Sequence, residues 1–206
     1  MDLLFIKRNN TILLFILIFI LGVFLRTYHL DRVPNGLYQD ETAIGYNAYS
    51  ILQTGKDEYG NDFPLYFKSF GDYKLPVYIY LTVIPVKLFG LSDIAPRVIS
   101  CFFSILTLGI FFFLAKRLTG NLPISLIGLF LLAINPWHLH YGRATFEVSV
   151  GLFFFCFGMY FLLSKKISYI SLIVGIMCFV IALYTYNLTR LLSPVLLLLM
   201  IFYRYK

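Results

Sequence analysis

Long apolar runs, broken at intervals by short basic or polar punctuation, dominate this chain. Six of them, about 11–28, 94–115, 121–137, 148–164, 168–187 and 191–203, read as membrane-crossing helices, because roughly 20 apolar residues cover about 30 Å of hydrocarbon. A seventh run, 75–91, carries Pro76, Pro85 and Lys87. If it does not cross, Lys7/Arg8, Lys116/Arg117, Lys165/Lys166 and Arg204/Lys206 all fall on one side, as the positive-inside rule requires. If it crosses, Lys116/Arg117 moves outside and Lys165/Lys166 follows it. The pattern therefore predicts an all-α integral membrane protein with about six spans and a cytoplasmic N-terminus. Segment 75–91 becomes an amphipathic or re-entrant element at the outer interface.

Composition supports that class. The chain is 60% hydrophobic and 13% charged, with a mean hydropathy of +0.82, whereas soluble domains carry about 25% charged residues. Cys101, Cys156 and Cys178 each lie inside an apolar run, which suits small buried side chains and no disulfide scaffold. Lys7 and Arg8 before the first run resemble a signal peptide, but Leu25-Arg26-Thr27-Tyr28 offers no small-residue cleavage site. The first run is therefore expected to remain as an anchor. The net charge of +7 reflects topology-setting pairs and does not point to nucleic acid.

With this topology every acid except Asp2 lies on the outer side or at an outer helix end, most of them in one loop, about 29–93. That loop is rich in Tyr, Phe, Gly and Pro, so it is expected to fold. Within it, Ile44, Ala48, Ile51 and Leu52 fall on one face of a helix ending at Gly55. Asp40 is placed to cap that helix, and Glu41 favours its positive pole. The same position suits a general base held at the membrane surface, and the two roles are compatible.

A second constellation runs from Asn135 to Glu147. If continuous helix enters the fourth span, His140, Arg143 and Glu147 share one face, with Arg143 and Glu147 spaced as an i,i+4 ion pair. A carboxylate entering a membrane helix is a functional candidate by default. His138-x-His140 as a metal pair stands against plain interfacial polarity. Third, Lys74, Arg97 and Arg190 sit on the outer side near helix ends. They are either snorkelling side chains or, with Arg143, neutralise a phosphate.

These residues resemble, in order, the N-terminal half of a GT-C membrane glycosyltransferase of the bacterial branch of the dolichyl-phosphate-mannose protein mannosyltransferase family. The matching stretches are Gly36-Leu37-Tyr38-Gln39-Asp40-Glu41-Thr42-Ala43, Gly45-Tyr46-Asn47-Ala48, Thr54 to Gly60, Asp72 to Leu81, Phe89-Gly90, Pro96 to Ser100, and Tyr141-Gly142-Arg143 through Glu147. The resemblance implies one transmembrane module over residues 1–206 and inverting transfer from a polyprenyl-phosphate sugar to an acceptor hydroxyl on a protein, lipid or glycan. The implied location is the cell membrane, with the active face extracytoplasmic. Asp40 matches the acid proposed as base, beside Glu41, and Glu147 matches a second acidic position. Lys74 and Arg97 match donor-phosphate contacts, with Arg143, Arg190 and His140 in the same substrate-binding set. No cofactor is implied, although Asp40 with Glu147 leaves a divalent metal open. Two other classes stay in view, a transporter of a lipid-linked substrate and a truncated, non-catalytic homologue or partner subunit. Membrane lipids are partners in every case.

Single cysteines introduced at Gly60 and Leu118, in a chain whose three native cysteines are replaced, should react with an impermeant maleimide from opposite sides of the membrane. Labelling of both from one side would remove the six-span topology.

Overall fold

The computed structural model describes residues 2–164 and 168–204. The order of elements is α1 (Asp2–Thr27), α2 (Gln39–Thr54), β1 (Phe67–Ser69), β2 (Asp72–Lys74), α3 (Pro76–Phe89), α4 (Ile94–Thr119), α5 (Leu122–Ile134), α6 (Pro136–Arg143), α7 (Glu147–Leu162), α8 (Tyr169–Leu183) and α9 (Asn187–Arg204). The fold is mostly helical, with a single antiparallel hairpin among the described residues.

Asn10–Thr27 within α1, and α4, are long and apolar enough to cross a membrane. α5 and α6 qualify as a third span only as a pair bent by 55°. α7 and α8 contain 16 and 15 residues, about 24 Å or less at 1.5 Å per residue. Six long, unbroken helices are therefore not seen among the described residues. The reasons are local. The expected span 121–137 breaks where Asn135 Oδ1 accepts the His138 N–H at 3.0 Å and Pro136, which has no N–H, starts the next helix. The expected span 168–187 stops at Leu183, and α9 starts at Asn187, ahead of the predicted 191. Of the basic pairs that orient the chain, Lys165/Lys166 and Lys206 lie outside the described residues.

α4 is the axis, with α1, α3, α5, α6 and α7 packed around it. Its hydroxyls are hidden from the apolar surroundings by bonding back to their own helix, Thr107 to the Phe103 carbonyl at 2.8 Å and Ser104 to that of Cys101 at 2.9 Å. The outward faces of α1 and α8, with Ile16, Leu17 and Ile20 and with Ile173 and Met177, are exposed. Exposed aliphatic faces of this kind suit lipid as the surrounding solvent.

The loop segment is folded, as its composition predicts. Ile44, Ala48 and Ile51 of α2 enter one core with Phe67, with Tyr78, Ile79 and Val86 of α3, and with Ile99 and Phe103 of α4. Gly55 ends α2 in the left-handed conformation at φ 72°. Beyond it, buried Asp57 accepts the Tyr59 and Asn61 N–H groups at 2.9 and 2.8 Å, and Asn47 donates to Glu58 at 2.9 Å. α3 buries Pro76, Ile79, Thr82 and Val86 on one side and leaves Ile84 and Leu88 exposed on the other. Both faces of α3 are therefore largely apolar.

α6 reaches α4 because residue 142 has no side chain. A Cβ there would lie 2.5 Å from Ser104 Oγ and 2.7 Å from Ser104 Cβ. Gly142→Val should therefore destabilise the protein by about 1–3 kcal/mol, read as a lower thermal midpoint in detergent. Adding Ser104→Gly should restore much of the loss.

Candidate functional site

One rim of the bundle gathers the end of α1, all of α2, the hairpin, the starts of α3, α4 and α7, and the end of α8. A buried ion pair ties most of these together. Glu41 occupies the third position of α2, and its Oε2 accepts the Tyr38 N–H at 2.9 Å, so Tyr38 rather than Asp40 is the capping residue. Arg97, on the first turn of α4, donates from Nε to Oε1 at 3.1 Å and from Nη2 to Oε2 at 3.3 Å. The Thr145 N–H donates to Oε1 at 2.8 Å. The Arg97 guanidinium also holds the Pro34 carbonyl at 2.8 Å and that of Gly36. Both side chains are sealed, at 0% and 3% exposure. Burial pushes the Glu41 carboxyl up, but the Arg97 bond and the N–H groups of Tyr38 and Thr145 outweigh it and hold the group below the ordinary carboxylate range. Beside this pair, the buried Tyr78 hydroxyl donates to the Pro96 carbonyl at 2.9 Å and meets Ser100 Oγ at 2.7 Å, which in turn accepts the Phe146 N–H at 3.0 Å.

Asp40, one residue before Glu41, points elsewhere because successive helical residues are turned by about 100°. Its Oδ1 lies 3.0 Å from Lys74 Nζ, with Asp40 32% exposed and Lys74 12%. Lys74 reaches it on the hairpin. Phe70 and Gly71 make the turn at φ 33° and 88°, and the pairing of Phe67 with Lys74 puts the lysine on the strand face anchored by buried Phe67. Glu147, the first residue of α7, feels the charges of Lys74, Asp40 and Asp72. Asp40 thus contacts the lysine, and Glu147 lies within electrostatic range of it. No group of three His, Cys, Asp or Glu arranged to hold a metal occurs among the described residues.

The remaining expected cations bond to groups of the protein itself. Arg97 offers no exposed nitrogen to a phosphate. Arg143 closes the end of α1 by donating to the carbonyls of Leu25, Tyr28 and Val33 at 2.8, 2.7 and 3.0 Å. It does not pair with Glu147, because α6 stops at Arg143 and Ala144 is extended before α7 begins. The predicted shared face of His140, Arg143 and Glu147 is lost with that break. His140 is exposed, its ring against Tyr141 and Phe146. Arg190 donates to the Leu183 carbonyl at 3.2 Å and lies over the Tyr66 ring.

Sequence reasoning missed Arg26. Fully buried, it donates to the carbonyls of Gly22, Ala133 and Leu132 at 2.8, 3.1 and 3.2 Å and to His138 Nδ1 at 2.6 Å. The available signal was a charge inside the closing turn of an apolar run, which needs carbonyl partners once buried. With His138 held by Arg26 and His140 exposed, the two histidines do not converge.

No family model, curated protein or solved structure matches the chain. The site therefore has to be read from its own geometry. A groove of about 210 Å³ is lined by Glu41, Thr42, Gly45, Tyr46, Val86 and Pro96, among others.

The depressed Glu41 pKa carries a sign. Its contribution to stability is full above the unfolded glutamate value of about 4.3 and is lost as pH falls through the lower folded value. Glu41→Gln should cost about 3–5 kcal/mol at neutral pH by stranding Arg97. The gap in thermal midpoint between the wild type and this variant should then narrow as the solution is acidified below that range.

Proposed function

We propose that the chain carries the base and the leaving-group cation of a membrane glycosyltransferase that uses a polyprenyl-phosphate sugar donor. The observation that carries this reading is the Asp40–Lys74 contact of 3.0 Å on an accessible part of the rim, with Glu147 acting on the same pair. The order of matching stretches set out above supports it, as does the gathering of charged groups at the rims, where a transporter would have polar features near mid-bilayer. In this reading α5–α6 and α7 to α9 complete the six-span GT-C-like arrangement, and the site faces the extracytoplasmic side.

The chemistry asks little of the protein. A sugar on a phosphate is already activated, and no covalent intermediate is needed. The acceptor oxygen attacks the anomeric carbon from the face opposite the phosphate. Asp40 takes the hydroxyl proton, and the C–O bond to the phosphate breaks with its electron pair leaving on oxygen. Lys74 stabilises that charge. Glu147 adds negative potential that keeps Lys74 at the site. Glu41 and Arg97, assigned above to catalysis and phosphate binding, become positioning residues that fix the start of α2 and hence the direction of Asp40. Arg143 and Arg190 act the same way on neighbouring helix ends, and His140 stays a candidate contact for the acceptor.

Asp40→Asn, in membranes carrying the full gene product, should lower sugar transfer by about 10²–10⁴-fold while insertion and thermal midpoint stay as in the wild type. Transfer is measured with a radiolabelled lipid-linked donor. Turnover near the wild-type level would remove Asp40 as the base. Lys74→Ala should also reduce transfer, and Lys74→Arg should retain more of it.

A further inference from the structure

We infer that the cavity between α5, α6 and α7 holds one chain of an anionic membrane phospholipid, with its headgroup against the α5–α6 bend. The cavity measures about 230 Å³, with Leu132, Val148 and Leu152 as apolar wall and Trp137, Tyr141 and His138 around the opening. The Trp137 and Tyr141 rings stack at 6.0 Å, and Trp137 is 70% exposed. The outward face of α5 beside it, with Ile127, Leu131 and Ile134, is exposed and aliphatic. A chain arriving from the bilayer would meet apolar surface all the way in.

The headgroup follows from the donor inventory. A guanidinium only donates, so the contact of Arg26 with His138 Nδ1 fixes that nitrogen as acceptor and leaves the proton on Nε2. Asn135 spends its carbonyl oxygen on the His138 N–H, which leaves its NH₂ free. Trp137 adds an indole N–H. Ser149 donates to the Tyr141 carbonyl at 2.6 Å. The side-chain groups left over at the bend are therefore chiefly donors, and they call for an acceptor-rich partner.

Charge points the same way. Arg26 and Arg143 bond to backbone carbonyls and, for Arg26, to His138, and neither forms an ion pair with a carboxylate among the described residues. Arg26 is fully buried and lines no part of the cavity, so its charge acts on the opening from behind His138. A phosphodiester bearing a neutral polar headgroup supplies both the acceptors and the missing negative charge. A choline headgroup cancels the phosphate's charge and leaves that of Arg26 unmet. The proposal shares no lining residue with the Asp40–Lys74 cluster and does not rest on the transfer reading.

Trp137 is the single tryptophan of the chain, so its fluorescence reports this cavity directly. The intact protein is reconstituted in vesicles containing increasing fractions of phosphatidylglycerol or phosphatidylcholine with brominated chains, in otherwise identical unbrominated lipid. Brominated phosphatidylglycerol should reach half-maximal quenching at about a fivefold lower fraction, the preference expected of one uncompensated arginine near an anionic headgroup. Leu152→Phe, which fills the wall, should abolish the preference while the circular dichroism spectrum stays unchanged. Equal quenching by the two lipids in the wild type would mean that Trp137 merely touches bulk lipid, and the proposal would fall. It would fall equally if Leu152→Phe kept the full preference, or if an isoprenyl phosphate displaced the quencher while excess unbrominated phosphatidylglycerol did not.

Discussion

The rim depends on one contact above the others, the bidentate pairing of Glu41 with Arg97. A buried ion pair is weak support for stability by itself, since the loss of hydration offsets most of the attraction. Here the remaining hydrogen-bonding capacity is also met, by the N–H groups of Tyr38 and Thr145 and by the carbonyls of Pro34 and Gly36. The pair therefore fixes four segments that are remote in sequence: the turn after α1, the start of α2, the start of α4 and the approach to α7. Asp40 is aimed because Glu41 cannot move.

Four of the arginines follow a common rule. Arg26 satisfies carbonyls at the end of α5, Arg143 those at the end of α1, Arg190 one at the end of α8, and Arg117 that of Tyr160 near the end of α7. In apolar surroundings the last carbonyls of a helix have no water to turn to. A planar fork with five donors can close such an end and still reach a second segment. Arg26 and Arg143 do this reciprocally, the first reaching from α1 to α5 and the second from α6 back to α1.

How much of this could be read in advance divides along physical lines. The helix carrying Ile44, Ala48 and Ile51 and its stop at Gly55 were legible, because they depend on local periodicity and on one left-handed residue. The adjacency of Asp40 and Lys74 had a weaker trace, in charges on the same side of a topology. What the sequence hid was the fate of long-range donors. Nothing in the spacing of Arg97 says that Glu41 will absorb it, and nothing near Arg143 says that α1 needs a cap. Hydropathy also missed the break at Asn135-Pro136, because a run average does not register one residue that caps and another that cannot donate. The hairpin escaped for a similar reason, being made by a two-residue turn rather than by any strand-like run.

The separation of only 3.0 Å between Asp40 and Lys74 has a consequence for an empty site. With nothing else bound, each of the two charges is the other's partner. Only a molecule that inserts between them, with a hydroxyl for one partner and an oxyanion for the other, would release both at once. An arrangement of this sort keeps both charges in place until a third group displaces one of them.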